Sequence, residues 1–551
     1  MTGSGSFDPI DLEIAWGRLV AIQDESALAL VRTSFSTIVR EAQDYTVILL
    51  DTQGRSIAQP KVSAPSFTGT MPLTMRHFLK RYPLDAWEPG DVAITNDPWM
   101  GTGHLNDVNV ARPIFHKGRL VAFVGLVAHT ADIGGILWSA GAQEVYEEGL
   151  QIPICKLFRL GEPNDDVFNF IRINVRVPEI VTGDLFAMNA AAEVVDRRLN
   201  DFLHEFGGDR WESLVAEIIR RTEQAMRAKI REIPDGTYQH ALELDGYRES
   251  LTLAATVTVR GGNIDVDYTG TSAQIPLAMN SPYSYTYAYT CHPLKCVIDP
   301  LIPNNEGTFR AISVYAPEGT IVNPRYPAAV AARNLTGHVL YAVLFGALAK
   351  VIPDRVIAEG SAPRPIIIVA GVRADGKRFQ NMFFIMGGLG ARQGADGMPC
   401  LPFPTNTKST PVEIMETTTP ILIERKEIVA DTGGAGTWRG GPAQEVVIRN
   451  LSPNPMRLSM LSERTKQPPR GLFGGGSGGL PAFYLEDGTP VNPKGITVVQ
   501  PMQSIVIRTH GGGGYGDPAK RDKERLDWDL EQGYVTPEGA RRDYGVIHSE
   551  R

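Results

Sequence analysis

Residues 96–135 read NDPWMGTGHLNDVNVARPIFHKGRLVAFVGLVAHTADIGG, and the middle of this stretch is a hairpin pattern. Apolar and β-branched runs over 108–115 and 120–128 flank a His116-Lys117-Gly118-Arg119 turn, which predicts two antiparallel strands. Facing Phe115 with Leu120 across the turn sets Asp107 opposite Ala128 and Asn106 opposite His129, so Asp107 and His129 meet at the open end. His104 lies just before Asp107, in a Gly101-Thr102-Gly103 approach loop whose glycines let it fold back. Two imidazoles and one carboxylate form the facial ligand set that suits Zn, Mn or Fe, and Asp44, Asp97 or Asp132 could complete it. For one isolated histidine, a loop cap or a strand end satisfied by backbone is the simpler account. Three ligand-type side chains converging on one hairpin end favour a metal site.

A chain of 551 residues exceeds one ordinary core and implies several packed subdomains. Its 43% hydrophobic and 21% charged composition is that of a globular protein, and a net charge of -8 offers no basic face to nucleic acid or anionic lipid. Cys155, Cys291, Cys296 and Cys400 are scattered in a spacing that fits neither a zinc knuckle nor a redox dithiol, and read as reduced core thiols. No apolar run approaches a membrane span, and the N-terminal Met1-Thr2-Gly3-Ser4-Gly5-Ser6 lacks the layout of a signal peptide, so the expected compartment is the cytosol.

The expected architecture is α+β, with several subdomains of mixed and antiparallel sheets, flanking helices and a β-rich C-terminal third. A helix is expected from Asp8 to about Ser36, a hairpin over 46–51 and 55–58 with Asp44 at its mouth, and a loop holding Gly69-Thr70-Met71-Pro72 before a helix that ends near Tyr82. Glu144, Glu147 and Glu148 read as a solvated face, with Glu148 able to reach a nearby cleft. Helices follow over 184–206 and 209–233, and Pro234-Asp235-Gly236 marks the end of an N-terminal α/β region, 1–236, that carries the metal site. The second region, 237–517, is β-rich. Within it, 276–310 is rich in Pro, Asn and Tyr and reads as a long loop, and glycine-rich stretches near 387, 433, 474 and 511 read as tight turns. None of these stretches has the Gly-Lys-Ser/Thr ending or the strand-to-helix setting of a nucleotide loop. The third region, 518–551, is a charged peripheral tail. Asp44 and Asp132 are the carboxylates assigned a catalytic or ligand-orienting role beside the metal set.

Motifs along the whole chain carry a resemblance. Asp44-Tyr45 with Asp51-x-x-Gly54 comes first, then N-D-P-x5-H-L-x-D from Asn96 to Asp107, A-H-x-A-D-I-G-G from Ala128 to Gly135, and G-D-L-x-A from Gly183. D-Y-T-G-T-S at Asp267, N-x-G at Asn305, N-P-x-x-P-A-A-V at Asn323 and P-V-E-x-x-E at Pro411 follow, and the series closes with D-T-G-G-A-G-x-W-R-G-G at Asp431 and G-G-G-G-Y-G-D-P at Gly511. This pattern resembles the hydantoinase B/oxoprolinase family, which includes the B subunits of ATP-dependent N-methylhydantoinases. The resemblance implies a subunit that works with a nucleotide-binding A subunit, which uses ATP to phosphorylate the carbonyl or amide oxygen of the substrate. In the related acetone and acetophenone carboxylases the similar subunit holds a metal, and His104, Asp107 and His129 fall on its ligand positions. Two departures stand out: many relatives have adjacent histidines where this chain has His129-Thr130, and His-Leu-Gly where it has Phe67-Thr68-Gly69. The resemblance thus implies ATP-dependent hydrolysis of a cyclic amide of hydantoin, lactam or oxoproline type, in a hetero-oligomer. Ketone carboxylation and a non-catalytic scaffold for the A subunit are the alternatives. The 276–310 segment and the C-terminal glycine stretches are the candidate partner interface.

Overall fold

In the computed structural model, residues 7–246, 248–401 and 403–545 are described. The chain is α+β, with helices packed on antiparallel and mixed sheets, none of them closed. Among the described residues no helix is long and apolar enough to cross a membrane.

The first sheet contains β1 (Tyr45–Leu50), β2 (Ser56–Ala58), β3 (Val92–Thr95), β4 (Asp107–His116), β5 (Arg119–His129), β6 (Cys155–Arg159) and β7 (Glu162–Pro163), in the order β2-β1-β5-β4-β3-β6-β7. Its central strands are apolar on both faces, because successive residues enter two different cores. Val47, Leu49, Val124 and Leu126 pack with the helices Pro9–Thr33 and Pro178–Phe206, whereas Ile48, Leu50, Phe123 and Val127 pack with Phe67, Met71 and Phe78 of the helix Pro65–Arg81. Gly69 to Pro72, expected in a loop, lie inside this last helix.

The β4–β5 turn takes the two-residue form, with His116 paired to Arg119. Only Lys117 and Gly118 form it, both with left-handed φ (51° and 78°), a two-residue turn that matches the twist of the flanking strands. Phe115 faces Leu120 as expected, but Ile114 then faces Ala122, so Val121 is an extra residue on β5. This bulge shifts the rest of the register by one and sets Asp107 directly opposite His129 instead of Ala128. Its physical support comes from far along the chain, since the Trp211 indole donates to the Val121 carbonyl at 3.0 Å.

The second sheet contains β8 (Gly236–Leu244), β9 (Leu251–Arg260), β10 (Asn263–Asp267) and β11 (Ile312–Tyr315), with one face wet and the other covered by the helices Tyr283–Ile298 and Leu340–Leu348. The expectation of a long loop over 276–310 is corrected here, because most of that segment is the helix Tyr283–Ile298 followed by the short helix Glu306–Phe309. Pro293 inside the first helix removes a backbone donor, and burial of the helix against both neighbours outweighs that loss.

The C-terminal third holds β12 (Ile366–Val372), β13 (Arg378–Phe384), β14 (Ile421–Val429), β15 (Ala443–Asn450), β16 (Met456–Leu461), β17 (Ala482–Leu485), β18 (Ile496–Val499) and β19 (Ser504–Arg508). They form two four-stranded sheets, β13-β12-β16-β18 and β14-β15-β19-β17, around one shared core. Of the glycine stretches between them, the one at 474 holds a tight turn as expected, Phe473 and Gly474 lying at φ 52° and 92° with Gly475 N donating to Leu472 O at 2.9 Å, but most of the remaining glycines are not in turns. Gly388, Gly440 and Gly512 all lack a left-handed φ, and the stretches run against one another backbone to backbone. Gly441 donates to Leu389 O, Gly512 to Gly441 O and Gly434 to Gly512 O, each at 2.8 Å, and Gly514 donates to Gly476 O at 2.9 Å. Glycine is required here for closeness, not for turning: a Cβ on Gly388 would stand 1.9 Å from Gly441 O, and one on Gly512 would stand 2.0 Å from Leu389 O. The tail helices Lys523–Glu531 and Pro537–Tyr544 are anchored by Asp529, a fully buried carboxylate paired with Arg439 at 3.0 Å and Arg521 at 2.6 Å.

These contacts separate two kinds of glycine. Gly512→Ala should destabilise the protein by about 3 kcal/mol or more, because a backbone oxygen occupies the place of the methyl group. Gly17→Ala, in the helix Pro9–Thr33 with nothing within 4 Å of the new Cβ, should stabilise it by about 0.5–1 kcal/mol. Thermal midpoints of the two variants against the parent chain check both signs.

Candidate metal centre

His104, Asp107 and His129 come together at the open end of the β4–β5 hairpin, all three buried, with ligand atoms within 4.8 Å of one another. His129 Nδ1 lies 2.9 Å from Asp107 Oδ1, a direct consequence of the register that the Val121 bulge creates. His104 arrives from the loop ahead of β4. There Gly103, at φ 92°, allows a reversal in which a Cβ would come within 2.7 Å of the Arg333 side chain. Buried Asn96 fixes the start of this loop by donating to Leu105 O and Leu150 O and accepting from Ile152 N.

The state of His104 follows from its partners. Its Nδ1 sits 3.0 Å from Ala331 O, an acceptor only, so Nδ1 carries the proton. Burial first, and then the Arg333 charge, push its pKa down to about 4, so the ring is neutral at pH 7. Nε2 therefore presents a lone pair, makes no hydrogen bond, and yet stands 2.9 Å from Asp107 Oδ1. Two lone pairs facing each other in a dry site repel unless a cation lies between them, so the donor set fits a divalent metal ion. Asp107 stays ionised: burial alone would raise its pKa, but the Arg333 guanidinium on Oδ2 and the His129 contact on Oδ1 hold it well below the usual carboxylate range. Arg333 donates to Asp107 Oδ2 and, through Nε, to Thr102 O at 2.6 Å, with its guanidinium 3.8 Å over the Tyr285 ring.

The remaining candidates separate. Asp44 lines the same cavity, its backbone carbonyl accepting from His129 N at 3.1 Å, and burial raises its carboxyl to about 6. Asp97 is a turn residue, its carboxylate accepting from Trp99 N and Met100 N. Asp132 lines a neighbouring, smaller cavity, where Arg176 pairs with it at 2.6 Å and Gln380 donates to it at 3.2 Å. Glu144 and Glu147 are exposed, as a solvated face would be, and Glu148 turns inward to line the same small cavity as Asp132. It is buried, accepts from Val330 N and Ala331 N at 2.6 and 2.7 Å, and is raised to about 8 by burial. It thereby positions Ala331, whose carbonyl also receives the Trp138 indole at 2.7 Å.

Several lining residues carried no site assignment in the sequence reading. Tyr285 and Tyr289 sit at helical spacing on one face, Tyr285 reaching His338 Nε2 at 2.9 Å. Arg333 closes the apolar run Ala328–Ala332 and Arg364 sits inside the run Pro363–Ile368, and a lone charge against an apolar run is the sequence signal for both. The cavity they close, with Phe67, Trp138, Ile366, Phe384, Thr405 and Thr407, holds about 30 Å³ reachable by a water centre, room for about two waters. Thr407 also lines a larger, more open pocket of about 770 Å³ beside Phe403, Cys296 and Cys400. Of the two departures from the resemblance, Phe67 lines the cavity and Thr130 bonds back to Asn106 O through its hydroxyl at 3.0 Å.

Fold and cavity together define an α+β protein with a buried ligand set of the kind that transition-metal enzymes use. The chain belongs to the Hydantoinase B/oxoprolinase family, whose signature it matches over residues 8–518. It is 31% identical over 564 residues to a caprolactamase subunit beta of Pseudomonas jessenii, covering 98% of this chain and 96% of that protein. The crystal structure of ATP-dependent caprolactamase from Pseudomonas jessenii superposes with a TM-score of 0.91 at 29% identity, over 99% of this chain and 97% of that one. A nucleotide-free acetone carboxylase structure shares the fold, with a TM-score of 0.90 at 18% identity over 98% of this chain and 80% of the other.

In metal-free protein at pH 7, His104 should be neutral and protonated on Nδ1, since its pKa of about 4 lies well below that pH. Long-range ¹H–¹⁵N NMR of the imidazoles reads this directly. A proton on Nε2, or a cationic ring at pH 7, would contradict the geometry.

Proposed function

We propose that this chain is the metal-dependent subunit of an ATP-dependent cyclic amide hydrolase of the hydantoinase, lactamase and oxoprolinase type. In this reading a separate hydantoinase A-type subunit phosphorylates the amide oxygen, and this chain opens the ring. The observation that carries the reading is the His104 Nε2 lone pair held 2.9 Å from Asp107 Oδ1 in a buried two-histidine, one-carboxylate set. His104, Asp107 and His129 would hold the ion, Zn, Mn or Fe, and such an ion supplies Lewis acidity to the reaction. The relatives support the substrate class, because caprolactam is a cyclic amide and the caprolactamase is described as ATP-dependent. The name "subunit beta" supports a partner chain.

Each residue of the chain then has a defined task. Arg333 engages Asp107 Oδ2 and leaves Oδ1 for ligation. In this reading Asp44, its carboxyl raised to about 6 by burial, accepts a proton from an attacking water and returns it to the leaving nitrogen. Asp132, held by Arg176 and Gln380, acts from the next cavity by fixing the loop behind His129. Phe67, Trp138, Tyr285, Tyr289 and Phe384 exclude bulk water, which strengthens every charge interaction inside. ATP belongs to the partner in this reading, because the N–H groups of Gly434, Gly441, Gly512 and Gly514 are all spent on neighbouring carbonyls and are not free to cradle phosphates.

Near-stoichiometric metal is expected in the purified chain and should be lost in His104→Ala and His129→Ala. Asp107→Asn should weaken binding by removing charge while keeping shape. Elemental analysis beside thermal melts checks this, and unchanged metal in both histidine variants would remove the site. The isolated chain should turn over neither ATP nor a cyclic amide, with activity appearing only on mixing with an A-type partner and vanishing again in His129→Ala. Turnover by the chain alone would overturn the two-subunit reading, and turnover of ketones in place of cyclic amides would move the chain to the carboxylase reading.

A further inference from the structure

The cavity wall facing the ligand set carries polar side-chain atoms that nothing among the described residues satisfies. Arg364 is 4% exposed, and its Nε and Nη1 make no hydrogen bond. Asn334 is 2% exposed with both side-chain polar atoms unpartnered, and His338 is 4% exposed with Nδ1 unpartnered. All three line the same cavity as His104, Asp107 and His129. Among the described residues no carboxylate stands within 4.0 Å of Arg364. An arginine does not shed its charge, and leaving a desolvated guanidinium unpaired is costly, so such a group is retained for an anion that arrives from outside.

Arg364 is also rigidly placed. It lies between Pro363 and Pro365 just ahead of β12, its guanidinium 3.9 Å over the Phe384 ring, and Pro365 O accepts from Ile385 N at 3.1 Å. Stacking on a ring face leaves the N–H edge of the fork free, the edge that reads an oxyanion. Charge balance points the same way. Asp44 and Asp107 offset Arg333 and Arg364 within the cavity, so a divalent cation on the histidines leaves two positive charges that a dianion would neutralise.

We infer that Arg364, with Asn334 and His338, forms an oxyanion subsite beside the ligand set that takes a phosphoryl group, either on an activated substrate or as released phosphate. The assignment of the anion as phosphoryl rests on the function proposed above, whereas the anion site itself rests on the unpartnered donors. The test is calorimetric titration of inorganic phosphate into the full-length chain, with wild type, Arg364→Met, Arg364→Lys and Asn334→Asp compared, and with metal content and melting temperature read on the same samples. Phosphate should bind wild type and bind about ten- to a hundredfold more weakly to Arg364→Met. Arg364→Lys should fall between, and metal content should stay unchanged in all. Equal affinity in wild type and Arg364→Met would overturn the subsite. If Arg364→Met does not fold, Asn334→Asp decides in its place: it sets a carboxylate among the donors, and undiminished phosphate binding there would equally overturn the subsite. Acetate binding with the same Arg364 dependence and no phosphate binding would overturn the phosphoryl assignment. A chain that holds metal but binds no phosphate counts against this inference alone. One without metal that still binds phosphate through Arg364 counts against the functional reading and leaves the subsite standing.

Discussion

A single buried carboxylate, Asp107, sets the terms for the rest of the site. Away from water it is tolerable because both oxygens are engaged, Oδ2 by Arg333 and Oδ1 by His129. Its partners come from a loop, the adjacent strand and a segment 226 residues downstream. The demand spreads outward from there. Arg333 needs Thr102 O and the Tyr285 face to hold its plane, and Ala331, just before it, needs Glu148 to fix its backbone before its carbonyl can orient His104. Four distant stretches of chain are thus located by one charge, and a loss at any of them is transmitted to the imidazoles.

The hairpin and its convergence were legible in the sequence because they follow from local rules: a Lys-Gly turn, two apolar runs and alternation about the turn. The error of one residue in register was not recoverable locally, since the Val121 bulge is held by Trp211, ninety positions away. The long loop expected over 276–310 failed for a related reason. Its prolines and asparagines argue against a helix, and only burial between the second sheet and its neighbours outweighs them. The glycine stretches misled differently, because glycine serves both turning and close approach, and composition does not separate the two uses. Arg333 and Arg364 escaped notice as isolated charges, although an arginine in an otherwise apolar run is costly enough to demand a reason.

The cavity is small and polar on one wall, while the pocket beyond Thr407 is broad and mostly apolar. This division fits a protein whose chemistry is shared across a family while its substrates differ. The residues that define the charge pattern, Asp107, Arg333 and the two histidines, are deeply buried, and Phe67, beside them on the cavity lining, is buried as well.

The glycine stretches also have a bearing on synthesis. Residues 359–361, which lead into Arg364, hang from backbone partners that come much later in the chain: Glu359 N donates to Arg470 O, Gly513 N donates to Glu359 O, and Ser361 N donates to Gly388 O, which belongs to the same packed stack. A ribosome-bound chain can complete the hairpin that pairs Asp107 with His129 before Ala331 and Arg333, which orient His104 and Asp107, have been made. The backbone leading to Arg364 lacks its last partner, the Gly513 N–H on Glu359 O, until residues beyond 510 have emerged. Translation order therefore separates the two walls of the cavity in time.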